Sequence, residues 1–292
     1  MIKRLSTLAI LAVLMLTAGT VSSFAASRVV TDSIDSKALG QCVKFNVYLP
    51  DGFKDSGKHY PVVYLLHGLT GIYSDWMTLG NMKLVADELI GTGEADEMVI
   101  IMPNAGHPDT HKVQNGYFNI PGGYNYEDFF FTELMPKVEG KYRCGGSKGQ
   151  RAVMGLSMGG GGSVVYCQRH PDLFSSCYAM SAWLDQKVSD NPKDPNDKMY
   201  LESKSVHENS ALAFIDNADK ATLDKLRTVK WFIDCGDDDY LLELSFNLHM
   251  KMKKAGVKTE LRVRNGTHNW EYWHLALRLA LPFASRNFSA GN

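Results

Sequence analysis

Two short stretches of this chain, residues 61–67 (PVVYLLH) and 98–102 (MVIIM), are apolar almost without a break. A strand with one face in water alternates apolar and polar residues, because successive side chains point to opposite faces. An unbroken run therefore marks a strand covered on both faces, as in the centre of a parallel sheet. Residues 151–155, 175–181, 229–235 and 260–264 have the same style, whereas 41–49 alternates like an exposed or edge strand. Helical patterns lie between them, at about 82–89, 126–142, 163–169, 241–255 and 270–288. Such alternation predicts an α/β architecture, a mostly parallel central sheet with helices on both faces.

The first 25 residues stand apart from that pattern. Lys3 and Arg4 precede an apolar run over 8–18, and Ser23-Phe24-Ala25 places small residues where a signal peptidase reads. The run is shorter than the ~20 residues that span a bilayer. A signal peptide over 1–25 is expected, with a periplasmic or secreted mature protein and no stable membrane insertion. Residues 26–292 show no repeat and no Pro/Ser-rich linker, so one domain is expected. Residues 183–225 break the rhythm, being polar with turn signals at Asn191-Pro192 and Asp194-Pro195-Asn196. A loop of that length reads either as a lid or as a surface excursion, and its place in the chain favours a lid. The formal net charge is −1, which supplies no basic field for nucleic acid. The five cysteines have no metal-ligand spacing, and an odd number leaves at least one outside any intrachain disulfide.

The chemistry centres on Gly155-Leu156-Ser157-Met158-Gly159, which follows one apolar strand and precedes a helix. In that context G-x-S-x-G forms a strained turn that raises the serine hydroxyl above the sheet at a helix N-terminus. A free hydroxyl is a weak nucleophile and needs a base. His59, His107, His111, His170, His207 and His249 read as surface residues, and Asp109 beside His107 and His111 does not complete a metal site. His268 follows the last strand and the turn Asn265-Gly266-Thr267, where strand ends converge on a crevice. Its orienting acid should follow the preceding strand, where Asp237, Asp238 and Asp239 are consecutive and cannot all face one imidazole. The chain order serine, acid, histidine is that of α/β-hydrolases. Two amides complete the site: Met158 N–H and Leu69 N–H, the latter in the loop His67-Gly68-Leu69-Thr70-Gly71.

From about residue 43 to 288 the chain resembles the esterase D-like family, which includes carbohydrate esterase family one. The resemblance rests on YLLHGLTG (64–71), YRCGGSKGQRAVMGLSMGG (142–160), HPDLF (170–174), CGDDDYLL (235–242) and GTHNWEYW (266–273). It implies the α/β-hydrolase fold and a serine esterase. The family's acid lies three residues after the glycine of its C-G motif, which implies Asp239, and its histidine precedes N-W, which implies His268. Asn104 stands where relatives often have Asp, and the loop from there through Pro121 reads as longer than usual.

The expected reaction is hydrolysis of a carboxylic ester, with feruloyl or acetyl groups on xylan or its oligosaccharides as leading substrates and no metal or organic cofactor. The partner is thus an acylated carbohydrate or a small ester. Tyr117, Phe118, Tyr124, Tyr126 and Trp183 are expected to supply pocket or core, and Trp270 and Trp273 core packing behind His268. Alternatives are acyl transfer of mycolyltransferase type and a catalytically silent glycan-binding relative, against which the intact Ser157, Asp239 and His268 argue. An S-formylglutathione hydrolase-like thioesterase is disfavoured by the expected export.

Overall fold

The computed structural model describes residues 26–54, 56–106, 116–120 and 124–289. The expected signal segment and the His107, Asp109 and His111 group lie outside the described residues.

Eight strands form one sheet: β1 (Arg28–Ser36), β2 (Gln41–Leu49), β3 (Val62–Leu66), β4 (Val99–Pro103), β7 (Arg151–Leu156), β8 (Ser176–Met180), β9 (Lys230–Gly236) and β10 (Thr259–Arg264). Their order is β1-β2-β4-β3-β7-β8-β9-β10, and a separate two-stranded ribbon joins β5 (Asn119–Ile120) to β6 (Tyr124–Asn125). β1 and β2 run antiparallel to their neighbours, and β4, β3, β7, β8, β9 and β10 pair in parallel in that order. The unbroken apolar runs are accounted for on β3. Val62, Tyr64 and Leu66 enter the core on one face of the sheet, and Val63 and Leu65 enter the core on the other.

Helices α1 (Asp75–Thr78), α2 (Met82–Gly91), α3 (Tyr126–Asp128), α4 (Met135–Tyr142), α5 (Met158–Arg169), α6 (Lys198–Glu208), α7 (Ala211–Asn217), α8 (Lys220–Leu226), α9 (Leu242–Lys254) and α10 (Trp270–Ser285) cover the sheet. α2 and α10 fill one face with Val85, Leu89, Leu277 and Phe283, and α5 and α9 fill the other with Val164, Tyr166, Leu248 and Met252. Among the described residues no helix is long and apolar enough to cross a membrane.

Three expectations need correction. Residues 41–49 are not an edge strand, because β1 pairs with β2 from Arg28 opposite Leu49 to Ser36 opposite Gln41. The pattern over 126–142 is not one α-helix, because a π-helical turn (Phe129–Leu134) separates α3 from α4. The stretch 183–225 is irregular only in its first part. From residue 198 onward it forms α6, α7 and α8, each capped by a side chain: Asp197 accepts from Tyr200 N–H, Ser210 from Ala213 N–H and Asp219 from Thr222 N–H. Such caps satisfy amide donors that the first helical turn leaves without partners.

Candidate active site

Ser157 sits between β7 and α5 at φ +53°, a left-handed value that non-glycine residues adopt at a cost of about 1–3 kcal/mol. The surroundings hold it there. Its N–H donates to Met180 O at 2.9 Å, and its carbonyl accepts from Trp183 N–H at 2.9 Å. The two flanking glycines are required by close approach. A Cβ on Gly155 would lie 2.6 Å from the Gly159 backbone, and one on Gly159 would lie 2.5 Å from His67 O. Without side chains there, the first turn of α5 packs directly on the end of β3.

The loops after β9 and β10 bring two groups to that serine. His268 Nε2 is 2.9 Å from Ser157 Oγ, and His268 Nδ1 lies 2.9 and 3.0 Å from the two oxygens of Asp239. An ionised carboxylate only accepts, so Nδ1 carries the imidazole proton, Nε2 accepts, and the serine hydroxyl donates. Of the three aspartates, Asp237 and Asp238 are exposed and Asp239 is buried. Asp237 instead accepts from Gly266 N–H at 2.9 Å, joining the two loops. Burial raises the Asp239 pKa, but hydrogen bonds from His268, the Leu241 amide and Ser181 outweigh it and hold the carboxyl below its ordinary range.

The loop after β3 forms the opposite side. Ala105 N–H donates to His67 Nε2 at 2.9 Å, so His67 Nδ1 bears the proton and donates to Gly68 O at 2.8 Å. Gly71 N–H also donates to Gly68 O at 3.0 Å, and Thr70 takes φ +62°. Two donors thus occupy the Gly68 carbonyl beside Leu69. His67 carries no catalytic motif of its own in the sequence. Its position at the end of a buried strand, just before a glycine loop, was the available clue.

Between these loops lies a cavity of about 580 Å³ whose lining includes Leu69, Ser157, His268, Trp183 and Leu241. Gln186, from the segment leading into α6, and Met199, in the first turn of α6, add to the lining. Of the aromatic residues expected around a pocket, Trp183 lines this cavity, whereas Tyr117, Phe118, Tyr124 and Tyr126 belong to or pack on the core beneath. Tyr117 is fully buried there because its hydroxyl donates to His67 O at 3.0 Å, supporting the glycine loop from below. Trp273 belongs to the core and Trp270 packs against it, as expected, and both also line the cavity. Trp273 also packs edge-on against His268 at 4.9 Å between ring centres, and Tyr240 packs tilted against the imidazole at 4.5 Å. Asp75, whose carboxylate accepts from Ile72 N–H at 3.0 Å, is a further lining residue that the sequence did not disclose.

The model of the family described as "Putative esterase" matches residues 36–284. A solved ferulic acid esterase is 46% identical, covers 91% of this chain and 100% of its own, and superposes with a TM-score of 0.85. A serine hydrolase from Staphylococcus aureus, 22% identical with a TM-score of 0.74, covers 89% of this chain and 99% of its own and shares the fold. Among curated proteins, an esterase of Mycobacterium tuberculosis is 34% identical over 149 residues, covering 50% of this chain and 30% of that protein. An endo-1,4-β-xylanase/feruloyl esterase of Xylanibacter ruminicola is 26% identical over 253 residues, covering 83% of this chain and 29% of that protein. The chain therefore spans less than a third of the length of these two curated relatives. With most of its length matched by one family model and by a relative of the same fold, the chain belongs to the esterase family of α/β-hydrolases.

Proposed function

We propose that this protein is an exported serine esterase that removes aromatic acyl groups of feruloyl type from plant polysaccharide or its oligosaccharides. The observation that carries this reading is the continuous hydrogen-bonded path from Ser157 Oγ through His268 to Asp239 on the wall of the cavity. In the proposed cycle His268 Nε2 takes the hydroxyl proton as Ser157 Oγ attacks the ester carbonyl. The carbonyl oxygen becomes an oxyanion held by the amides of Leu69 and Met158. His268 then returns the proton to the leaving alcohol, the C–O bond breaks, and the acyl group remains on Ser157. Water repeats the sequence, giving up its proton to His268 and releasing the free acid. Asp239 keeps the imidazole in the Nδ1–H tautomer and stabilises it when doubly protonated. These steps use only protein groups and water.

The volume of about 580 Å³ and the aromatic side chains of Trp183, Trp270 and Trp273 favour an aromatic acyl group over acetyl, which would leave most of the space unfilled. The related ferulic acid esterase and xylanase/feruloyl esterase support the same choice. Export is supported by the basic and apolar pattern at the N-terminus. The segment from Trp183 to Met199 is proposed as the wall that shapes the acyl side of the cavity.

The test is hydrolysis of p-nitrophenyl acetate, methyl ferulate and acetylated xylan by the mature protein and by Ser157→Ala. The wild type should favour methyl ferulate, and the variant should lose roughly 10³-fold or more in kcat while keeping its fold. Equal turnover by both proteins would remove Ser157 from the mechanism, and a preference for acetylated xylan would replace the feruloyl assignment.

A further inference from the structure

Tyr240 is the most exposed of the large hydrophobic side chains among the described residues, at 75%. It follows Asp239 directly, and its chain neighbours on both sides, Asp239 and Leu241, are buried. The turn that carries it is fixed. Asp239 N–H donates to Gly236 O at 3.3 Å, Leu241 N–H to Asp239 Oδ1 at 2.9 Å and Leu242 N–H to Asp239 O at 3.0 Å. An aromatic ring left in water forgoes most of the burial that usually stabilises it, so core packing does not account for its place. The ring lines the cavity and packs against the His268 imidazole, tilted by 46° with the ring centres 4.5 Å apart. Leu79 and Met199, both half-exposed, line the same cavity.

Which part of an ester lies beside Tyr240 follows from the proton that His268 carries. Nε2, 2.9 Å from Ser157 Oγ, hands that proton to the leaving alcohol, so the alcohol oxygen has to come within roughly 3 Å of Nε2. In an ester of a saccharide this oxygen belongs to a sugar, whose ring then lies just beyond it on the histidine side of the cavity. The acyl carbonyl oxygen turns the other way, toward the amides that receive the oxyanion. A sugar ring presents a C–H face that packs on the flat of an aromatic side chain while its hydroxyls stay in water. We propose that Tyr240 is a substrate-binding residue for the leaving-group sugar: its exposed ring receives the esterified sugar unit as the alcohol oxygen reaches His268. The proposal rests on the reading of Ser157 and His268 as nucleophile and base of an esterase acting on acylated saccharides. Exposure has a reason in this arrangement, because a saccharide chain continues beyond the esterified unit and needs an open rim there. The fixed turn and the two rotatable bonds of a tyrosine keep the loss of freedom on binding small.

The experiment compares wild type, Tyr240→Ala and Tyr240→Phe on two feruloyl esters that differ in their alcohol, methyl ferulate and a feruloylated xylan oligosaccharide. Tyr240 is exposed, so truncating it leaves the core intact. The readout is kcat/KM on the oligosaccharide divided by kcat/KM on methyl ferulate, which cancels any general effect on the imidazole. That ratio should fall about tenfold in Tyr240→Ala and stay within about twofold of wild type in Tyr240→Phe, which keeps the ring. An unchanged ratio in Tyr240→Ala, even with both rates reduced, would overturn the proposal, since Tyr240 would then only support His268. A ratio that rises would place the ring on the acyl side, and an equal fall in Tyr240→Phe would assign the effect to the hydroxyl; either result also overturns it. The second measurement is calorimetric binding of the same two esters to Ser157→Ala, with and without Tyr240→Ala. Removing the ring should weaken the oligosaccharide about tenfold more than methyl ferulate. Equal weakening, or no binding of the oligosaccharide to Ser157→Ala, overturns the sugar contact. Wild type that hydrolyses neither ester would count against the esterase reading, and the binding measurement would still decide the role of Tyr240.

Discussion

At the scale of single residues, small chemical differences decide what each position does. Asn104 accepts from Tyr73 N–H through Oδ1 at 2.9 Å and donates to Gly106 O through Nδ2 at 2.9 Å. An aspartate there could serve the first bond and not the second, which gives the departure noted in the sequence a local reason. The cysteines show the same discrimination by environment. Cys42 is exposed, the other four thiols are buried, and burial pushes Cys235 up to about 12. A low thiolate fraction and lack of access make such groups inert. A disulfide-exchange reagent should therefore titrate one thiol in the native protein, at Cys42, and five after denaturation, with no loss of esterase activity. Rapid native reaction of a second cysteine would show that the layer around Cys235 or its counterparts opens.

Among the elements, α6 links the cavity to the core. Met199 near its start lines the cavity, while Glu202 one turn on is buried against Gly116. Burial raises the Glu202 carboxyl to about 7, and the Gly116 amide offsets only part of that effect. A pKa raised by folding fixes the sign of the linkage. The stability it contributes is complete below the ordinary glutamate pKa and is lost as pH rises through about 7. Glu202→Gln should accordingly raise Tm at pH 8 and leave it nearly unchanged at pH 5, as read by thermal unfolding at both values. An equal change at both pH values would mean that Glu202 is ionised in the folded protein throughout. The sequence made α6 hard to see because its residues follow a long polar run. What forms the helix is the Asp197 cap together with burial of Glu202, Ser205 and Val206.

For the whole molecule, the binding edge of the sheet depends on a polar knot beneath it. Asp234 on β9 is fully buried and accepts from Arg262 on β10, from the Tyr178 hydroxyl on β8 at 2.6 Å and from the Tyr272 hydroxyl on α10 at 2.5 Å. Four elements meet at one carboxylate, directly below the loops that carry Asp239 and His268. Removing one partner of a buried pair leaves the other charge uncompensated. Asp234→Ala should cost about 3–5 kcal/mol in urea denaturation and lower esterase activity, whereas breaking the exposed Lys220–Asp224 pair should cost less than about 1 kcal/mol. Similar losses for the two changes would show that the knot does not hold the sheet together.

The sequence by itself determined the parallel centre of the sheet, because a strand buried on both faces has no polar positions to alternate. It also determined the serine turn and the histidine after the last strand, because those depend on short-range spacing. The glycines of α5 hid the start of that helix, and only their contacts with β3 and the segment after β8 explain why they occur there. The tertiary structure alone decided that Tyr117 supports the glycine loop, that Trp270 and Trp273 line the cavity, and that Ser181 meets Trp273. Each of these depends on residues far apart in the chain. Aromatic side chains look alike in a sequence whether they bury a face in the core or present it to a substrate, and only packing against distant elements separates the two.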